Sequence, residues 1–104
     1  MIKFQFFLGT DTNGQAVDGQ AIAYRLANQH FPHGHSTQEI KGRWLGESGP
    51  VDELTVVVTW YAAAELILTG EADNRASQFA AAYKNEAYQE SILIERQEVD
   101  AFFV

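Results

Sequence analysis

The clearest strand pattern in the sequence is Glu53-Leu54-Thr55-Val56-Val57-Val58-Thr59-Trp60-Tyr61, and the rest of the fold is predicted around it. Valine, threonine and aromatic residues dominate it, and such residues pack well on a pleated sheet. One face of this strand carries Leu54, Val56, Val58 and Trp60, and the other carries Thr55, Val57, Thr59 and Tyr61. Because successive side chains point to opposite faces, we expect a strand that presents apolar side chains on both faces of a sheet.

Three further strands and two helices are predicted around this stretch. The strands are Ile2 to Leu8, Thr37 to Leu45 and a buried strand from Gln89 to Arg96, and Glu47 to Pro50 is a turn. The first helix has Asp18 as its cap and runs to about His30, and the second has Asp73 or Asn74 as its cap and runs to about Tyr88. Ala62 to Glu71 is ambiguous, and Val99 to Val104 is a candidate for one more strand.

The order β-α-β-β-α-β is typical of the ferredoxin-like fold, an α+β architecture with an antiparallel sheet and two helices on one face. The length of 104 residues predicts a single domain over residues 1–104. The face without helices would expose Phe7, Val57, Tyr61 and Leu93. Since a large apolar patch usually marks an interface, we predict a homo-oligomer with the open sheet faces turned inward.

Composition excludes several classes of function. The chain has no cysteine, which rules out disulfides, thiolate nucleophiles and sulfur-ligated metals. No apolar run approaches the roughly 20 residues that span a bilayer, so we expect a cytoplasmic protein without membrane contact. A net charge of −7 repels phosphate backbones and disfavours nucleic acid as a partner. The acidity suits solubility first, and otherwise a site for a cationic ligand or a mimic of DNA charge.

A histidine cluster and a glycine-containing loop could each bind a ligand, but both have a commoner structural role. His30, His33 and His35 surround a Pro-Gly turn, and three imidazoles can hold zinc, but an exposed turn is the commoner role of such a cluster. We therefore predict no metal site. The first loop, with Gly9, Gly14 and Gly19, matches neither the dinucleotide fingerprint nor a P-loop. Such a loop could wrap a ligand, but a flexible connection is the commoner role, and we predict no cofactor.

Carboxylates beside aromatic residues form the more informative pattern. Glu47, Asp52 and Glu53 flank the turn before the strongest strand, close in sequence to Trp44. A solvated hairpin tip would have the same composition. A carboxylate next to aromatic rings also suits a cation, through charge pairing and the ring quadrupole.

Three segments in the second half of the chain resemble the phage S-adenosylmethionine lyases, once called hydrolases. The segments are Lys41-Gly42-Arg43-Trp44, Asp52-Glu53-Leu54-Thr55-Val56 and Asn85-Glu86-Ala87-Tyr88-Gln89-Glu90-Ser91-Ile92-Leu93-Ile94. The resemblance covers about residues 41–104. The chain also resembles a family of small bacterial proteins of unknown function. That resemblance is carried by Phe31-Pro32-x-Gly34, Gly42-x-Trp44, Glu53, Tyr83 and Gln89-Glu90-Ser91, and it extends to Phe7 and Gly9.

The lyase resemblance implies a specific activity and site. It implies a PII-like homotrimer with active sites between subunits, which splits S-adenosylmethionine into methylthioadenosine and homoserine lactone and can counter host restriction. It also implies that Glu53 is the catalytic glutamate. As substrate-binding residues we predict Trp44, Tyr61, Phe7, Gln89 and Glu90. Trp44 stands where that family has a tyrosine, so the phenolic hydroxyl would have to come from another residue such as Tyr61 or Tyr24.

Three functions remain open at the level of the sequence. The first is the S-adenosylmethionine lyase, a carbon-sulfur lyase without cofactor. The second is a non-catalytic PII-like trimer that binds a small ligand, which the departure at Trp44 favours. The third is an acidic anti-restriction protein that mimics DNA, which rests on net charge alone.

Overall fold

The computed structural model describes residues 1–104 and contains four strands and three helices. The strands are β1 (Ile2–Gly9), β2 (Ser36–Gly46), β3 (Gly49–Ala62) and β4 (Leu93–Glu98), and the helices are α1 (Gly19–His30), α2 (Ala64–Leu68) and α3 (Glu71–Glu86). The strands form one antiparallel sheet in the order β2-β3-β1-β4. The predicted α+β, ferredoxin-like arrangement is confirmed, and the short helix α2 occupies the segment that was ambiguous.

The hydrophobic core lies between the sheet and the helices. On β1 the alternation is as predicted, and its inward face holds Ile2, Phe4, Phe6 and Leu8. The Phe6 ring contacts Phe31, which follows α1, and Phe79 of α3, with ring centroids 5.6 and 4.8 Å away. These aromatic contacts fix both long helices on the same face of the sheet, and the opposite face carries no helix.

The start of α1 confirms one predicted helix cap, whereas the start of α3 corrects the other. Asp18 accepts a hydrogen bond from the Ala21 N–H at 3.2 Å and caps α1. Helix α3 begins at Glu71, directly after Gly70, whose φ of +78° suits a residue without Cβ. Asp73 is therefore already inside the helix, where its carboxylate pairs with Arg96 of β4 at 2.9 Å.

The C-terminal strand differs from the prediction in position and in burial. Helix α3 ends at Glu86, and Tyr88 adopts a φ of +56°, so residues 89–92 connect the helix to β4 and do not belong to the strand. All six residues of β4 are exposed, because it is an edge strand paired only with β1. The prediction of a buried strand was wrong, and no strand forms after Val99.

The hairpin of β2 and β3 is longer than the sequence pattern indicated. Its register pairs Gly46 with Gly49, which leaves Glu47 and Ser48 as the turn. Strand β3 thus begins four residues before Glu53. Its ladder with β1 ends at Thr55, after which only the Leu54 carbonyl is still bonded to the first strand's continuation, by the Thr10 N–H. Residues 49–53 are therefore paired with β2 alone and project beyond the rest of the sheet.

None of the three helices combines the length and the apolar character needed to cross a membrane.

Candidate functional site

Two glycines shape the open face of the sheet where the β2–β3 hairpin meets the end of β1. A Cβ added to Gly9 would lie 2.8 Å from the Glu53 carboxyl carbon, so the Glu53 side chain occupies the space above this glycine. A Cβ added to Gly42 would lie 3.0 Å from Cε2 of Trp44, so the indole occupies the space above that one. Both side chains lie over the sheet because the strand beneath them lacks a side chain at these positions.

Glu53 is held by the chain that follows β1. Its Oε2 accepts a hydrogen bond from the Asp11 N–H at 2.6 Å. Partial burial raises the pKa of the Glu53 carboxyl, and the negative charge of Asp11 adds to this effect. The nearby backbone N–H groups of Asp11 and Thr10 oppose it, because they favour the ionised form. The carboxylate is thus oriented but remains partly accessible to a ligand.

Trp44 is fixed by a hydroxyl on the neighbouring strand. Its Nε1–H donates to Thr55 Oγ1 at 3.1 Å, and Thr55 is completely buried. This hydrogen bond uses the only donor of the indole. Trp44 can therefore offer a ligand an aromatic surface but no further hydrogen bond.

Glu53 and Trp44 line a cleft of about 490 Å³ between the hairpin and the connection from α3 to β4. The connection contributes residues 89–92 to the opposite wall, and Phe7 lies within the cleft. Four carboxylates line it, from Asp11, Glu47, Glu53 and Glu90. No lysine, arginine or histidine lines the cleft, so its electrostatic potential favours a cationic ligand.

Five of the six predicted site residues come together in this cleft, namely Phe7, Trp44, Glu53, Gln89 and Glu90. Tyr61 does not. It lies on the same face of the sheet, opposite Lys3, but β3 carries it four residues beyond the position paired with Phe7. The strand rise of about 3.4 Å per residue puts its backbone more than 10 Å away along the strand.

Neither tyrosine considered as a source of the hydroxyl reaches the cleft. Besides Tyr61, the other was Tyr24, whose hydroxyl donates to Glu39 at 2.5 Å on the helix side of the sheet. The side-chain hydroxyls that line the cleft belong to Ser48 in the hairpin turn and Ser91 in the α3–β4 connection.

The histidine cluster does not assemble in the structure. His30 packs edge-on against Phe79, with ring centroids 5.6 Å apart, and burial lowers its pKa. The Nδ1 of His35 lies 2.9 Å from the Phe31 carbonyl oxygen. No group of three histidine, aspartate or glutamate side chains is placed to hold a metal ion.

Several residues of the site were not predicted as such from the sequence, among them Asp11, Asn13 and Gly42. Asn13 Nδ2 donates to the Tyr88 carbonyl at 2.5 Å and ties the first loop to the α3–β4 connection. Gly42 could have been found, because a glycine inside a strand pattern often marks a close approach of another group. The loop residues carry no comparable signal, since their role depends on backbone groups.

Solved structures of a phage SAM lyase have the same fold as this chain. The structure in complex with S-methyl-5'-thioadenosine superposes with a TM-score of 0.70 at 15% identity, and the match covers 93% of this chain and 80% of that one. The apo structure gives a TM-score of 0.60 at 15% identity and covers 92% and 78%. No family model and no curated protein matches the sequence. The predicted resemblance to the phage lyases is thus confirmed for the fold and extends well beyond residues 41–104.

Proposed function

We propose that this protein is a lyase that acts on a sulfonium substrate, and specifically that it converts S-adenosylmethionine into methylthioadenosine and homoserine lactone. The observation that carries the proposal is the Glu53 carboxylate, fixed beside aromatic rings in an anionic cleft. The shared fold with a phage SAM lyase that binds S-methyl-5'-thioadenosine supports it. The reaction needs no cofactor.

The proposed reaction is an intramolecular displacement. An oxygen of the substrate carboxylate attacks the γ carbon of the methionine moiety, a C–O bond forms, and the C–S bond breaks. The bonding electron pair stays on sulfur, which turns from a sulfonium into a neutral thioether. No proton has to move, and the ammonium group stays protonated. The enzyme mainly supplies an attack geometry, and positioning of this kind is worth on the order of 7–11 kcal/mol at best.

The charge of the cleft favours that geometry. S-adenosylmethionine carries two positive charges, on sulfur and on the ammonium group, and one carboxylate. Glu53 attracts the ammonium group, whereas Asp11, Glu47 and Glu90 repel the substrate carboxylate. The substrate carboxylate is therefore driven toward its own sulfonium, which is the direction of attack.

The aromatic residues suit the remaining part of the substrate. Trp44 and Phe7 provide ring surfaces on which an adenine can stack, and the Trp44 ring also attracts a cation through its quadrupole. Gln89 and Glu90 stand on the opposite side of the cleft and would bind the ribose hydroxyls. Neutral methylthioadenosine loses the charge attraction, which favours its release.

We further propose that the active unit is a homotrimer with the cleft completed by a neighbouring subunit. The open face supplies exposed apolar side chains for such contacts, including Tyr61 at 44% and Leu93 at 49% exposure. A contact there would cover apolar area that no helix covers.

A second candidate is a trimer that binds a nucleotide or sulfonium ligand without turnover. It is favoured by the absence of a phenolic hydroxyl from the cleft, since Trp44 replaces the tyrosine that the resemblance implies. A DNA mimic is less favoured, because four of the acidic residues are paired with arginines, which offsets their charge.

The deciding experiment is incubation of the purified protein with S-adenosylmethionine, followed by chromatography of methylthioadenosine. Glu53→Gln keeps the shape of the side chain and removes its charge, and we expect a rate at least about a hundredfold lower. Glu65→Gln in α2 is the matched control, since Glu65 is exposed and its side chain makes no hydrogen bond. If the wild type forms product and Glu53→Gln forms it at the same rate, the proposed role of Glu53 is refuted. Ligand binding in calorimetry without product would favour the second candidate.

A further inference from the structure

The loop that orients Glu53 is itself held by hydrogen bonds from several elements, and one of the donors, Gln89, also lines the cleft. Its core is the segment Gly9–Asp11, which leaves β1 beneath the Glu53 carboxyl. Thr10 donates to the Leu54 carbonyl with both its N–H at 3.1 Å and its hydroxyl at 2.8 Å. A Cβ on Gly19 would lie 2.9 Å from the Thr10 carbonyl oxygen, so the start of α1 also packs on this segment.

From inside the core, Tyr83 of α3 holds the first residue of the segment. Its ring is completely buried, and its hydroxyl donates to the Gly9 carbonyl at 2.5 Å. Burial and the negative charges of Glu53 and Asp18 raise the pKa of this hydroxyl far above its ordinary value. The group therefore acts only as a neutral donor, and it contributes nothing to the proposed displacement directly.

From the outside, Gln89 holds the last residue of the segment. Its Nε2 donates to the Asp11 carbonyl at 2.5 Å and to the Ala87 carbonyl at 3.0 Å. Both hydrogens of this amide are thereby used within the protein. The contact fixes the orientation of Asp11, whose N–H is the donor to Glu53.

We propose that Tyr83 and Gln89 are positioning residues, which act through the backbone of Gly9–Asp11 to hold the Glu53 carboxylate over the sheet. This assignment rests on the proposed function for its effect on catalysis. It also changes the interpretation of Gln89, whose side chain orients Asp11 with its donors and has only its Oε1 left for a ligand.

The test uses Tyr83→Phe and Gln89→Ala in the full chain, with the Glu53 carboxyl carbon followed by NMR as pH is varied. The hydrogen bond from the Asp11 N–H favours the ionised form of the Glu53 carboxyl. Loss of either anchor weakens this hydrogen bond, so the Glu53 pKa should move upward in both variants. We also expect kcat with S-adenosylmethionine to fall by about ten- to a hundredfold. Tyr88→Phe and Gln78→Ala are matched controls on exposed side chains that make no hydrogen bond, and neither should move the Glu53 titration.

The readouts separate the two proposals. The Glu53 titration tests the positioning role even when no lyase activity is found, since it needs no substrate. Should Tyr83→Phe fail to fold, Gln89→Ala still tests the role, because Gln89 is at the surface of the cleft. An unchanged Glu53 titration in the folded variants would overturn the proposal. An upward shift without any methylthioadenosine from the wild type would support positioning and refute the lyase.

Discussion

Gly9→Ala tests the arrangement of the site without removing any functional group. The new methyl group would lie 2.8 Å from the Glu53 carboxyl carbon, whereas ordinary contacts of a Cβ begin at 3.4 Å. The Glu53 side chain therefore has to leave the space above the strand. In leaving, it loses the 2.6 Å hydrogen bond from the Asp11 N–H.

The expected change in stability follows from two opposing effects. A hydrogen bond to a charged group contributes about 1.5–3 kcal/mol, and we take the lower end because water reaches the displaced carboxylate. Replacement of glycine by alanine at a permitted backbone conformation stabilises by about 0.4–1 kcal/mol through the unfolded state. Gly9→Ala should thus lower the free energy of unfolding by about 1 kcal/mol, or the melting temperature by about 4–8 °C.

The decisive measurement is a double-mutant cycle in urea denaturation. In a Glu53→Ala background the clash and the hydrogen bond are both absent, so Gly9→Ala should become neutral or stabilising. The activity assay should also respond to this displacement of Glu53. As a single substitution, Gly9→Ala should strongly reduce the formation of methylthioadenosine. An equal loss of stability from Gly9→Ala in both backgrounds would refute the placement of Glu53 above Gly9.

Three further predictions concern the same site. In Gly42→Ala the new Cβ would lie 2.5 Å from Trp44 Nε1, so the Trp44 ring should be displaced. Ligand binding measured by calorimetry should then be weaker, and an unchanged affinity would contradict this prediction. Thr55→Val removes the acceptor of the Trp44 N–H and should destabilise by about 1–2 kcal/mol in urea, whereas Thr37→Val, at an exposed position, should not. The raised pKa of Glu53 means that the folded state retains this proton to higher pH than the unfolded state does. Stability should therefore fall as pH rises from the ordinary glutamate value through the raised one, and Glu53→Gln should remove that contribution in denaturation series at about pH 4 to 7. A steeper dependence in Glu53→Gln would contradict this sign.

Much of the fold could be predicted because the spacing of apolar residues and the residue types of a segment indicate which side chains are buried. The alternation in Ile2–Gly9 and the dense β-branched run in β3 placed the central strands correctly. The exposed edge strand β4 was mispredicted as buried, because an apolar run such as Ile92-Leu93-Ile94 does not reveal which neighbours its sheet provides. The start of α3 was misplaced because Asp is a common N-cap residue, whereas the helix begins directly after Gly70 and Asp73 lies within its first turn.

The site was predictable in its side chains and not in its backbone. Glu53 and Trp44 stand out by residue type, and the hairpin brings them to the same face. Tyr61 was included because it shares that face, although distance along the strand separates it from the cleft. The N–H of Asp11 could not be predicted, because every residue except proline has one and only the fold directs it toward a carboxylate.

The turn of the long hairpin has a practical consequence for redesign. Glu47 and Ser48 line the cleft, yet they lie outside the paired strands and bear no part of the packing beneath Glu53 and Trp44. Under the proposed function, ligand selectivity can thus be diversified at these two positions in a combinatorial library, with Gly9 and Gly42 kept constant. The hairpin turn could then be varied in sequence, while the Glu53 carboxylate and the Trp44 indole keep their positions for binding new ligands.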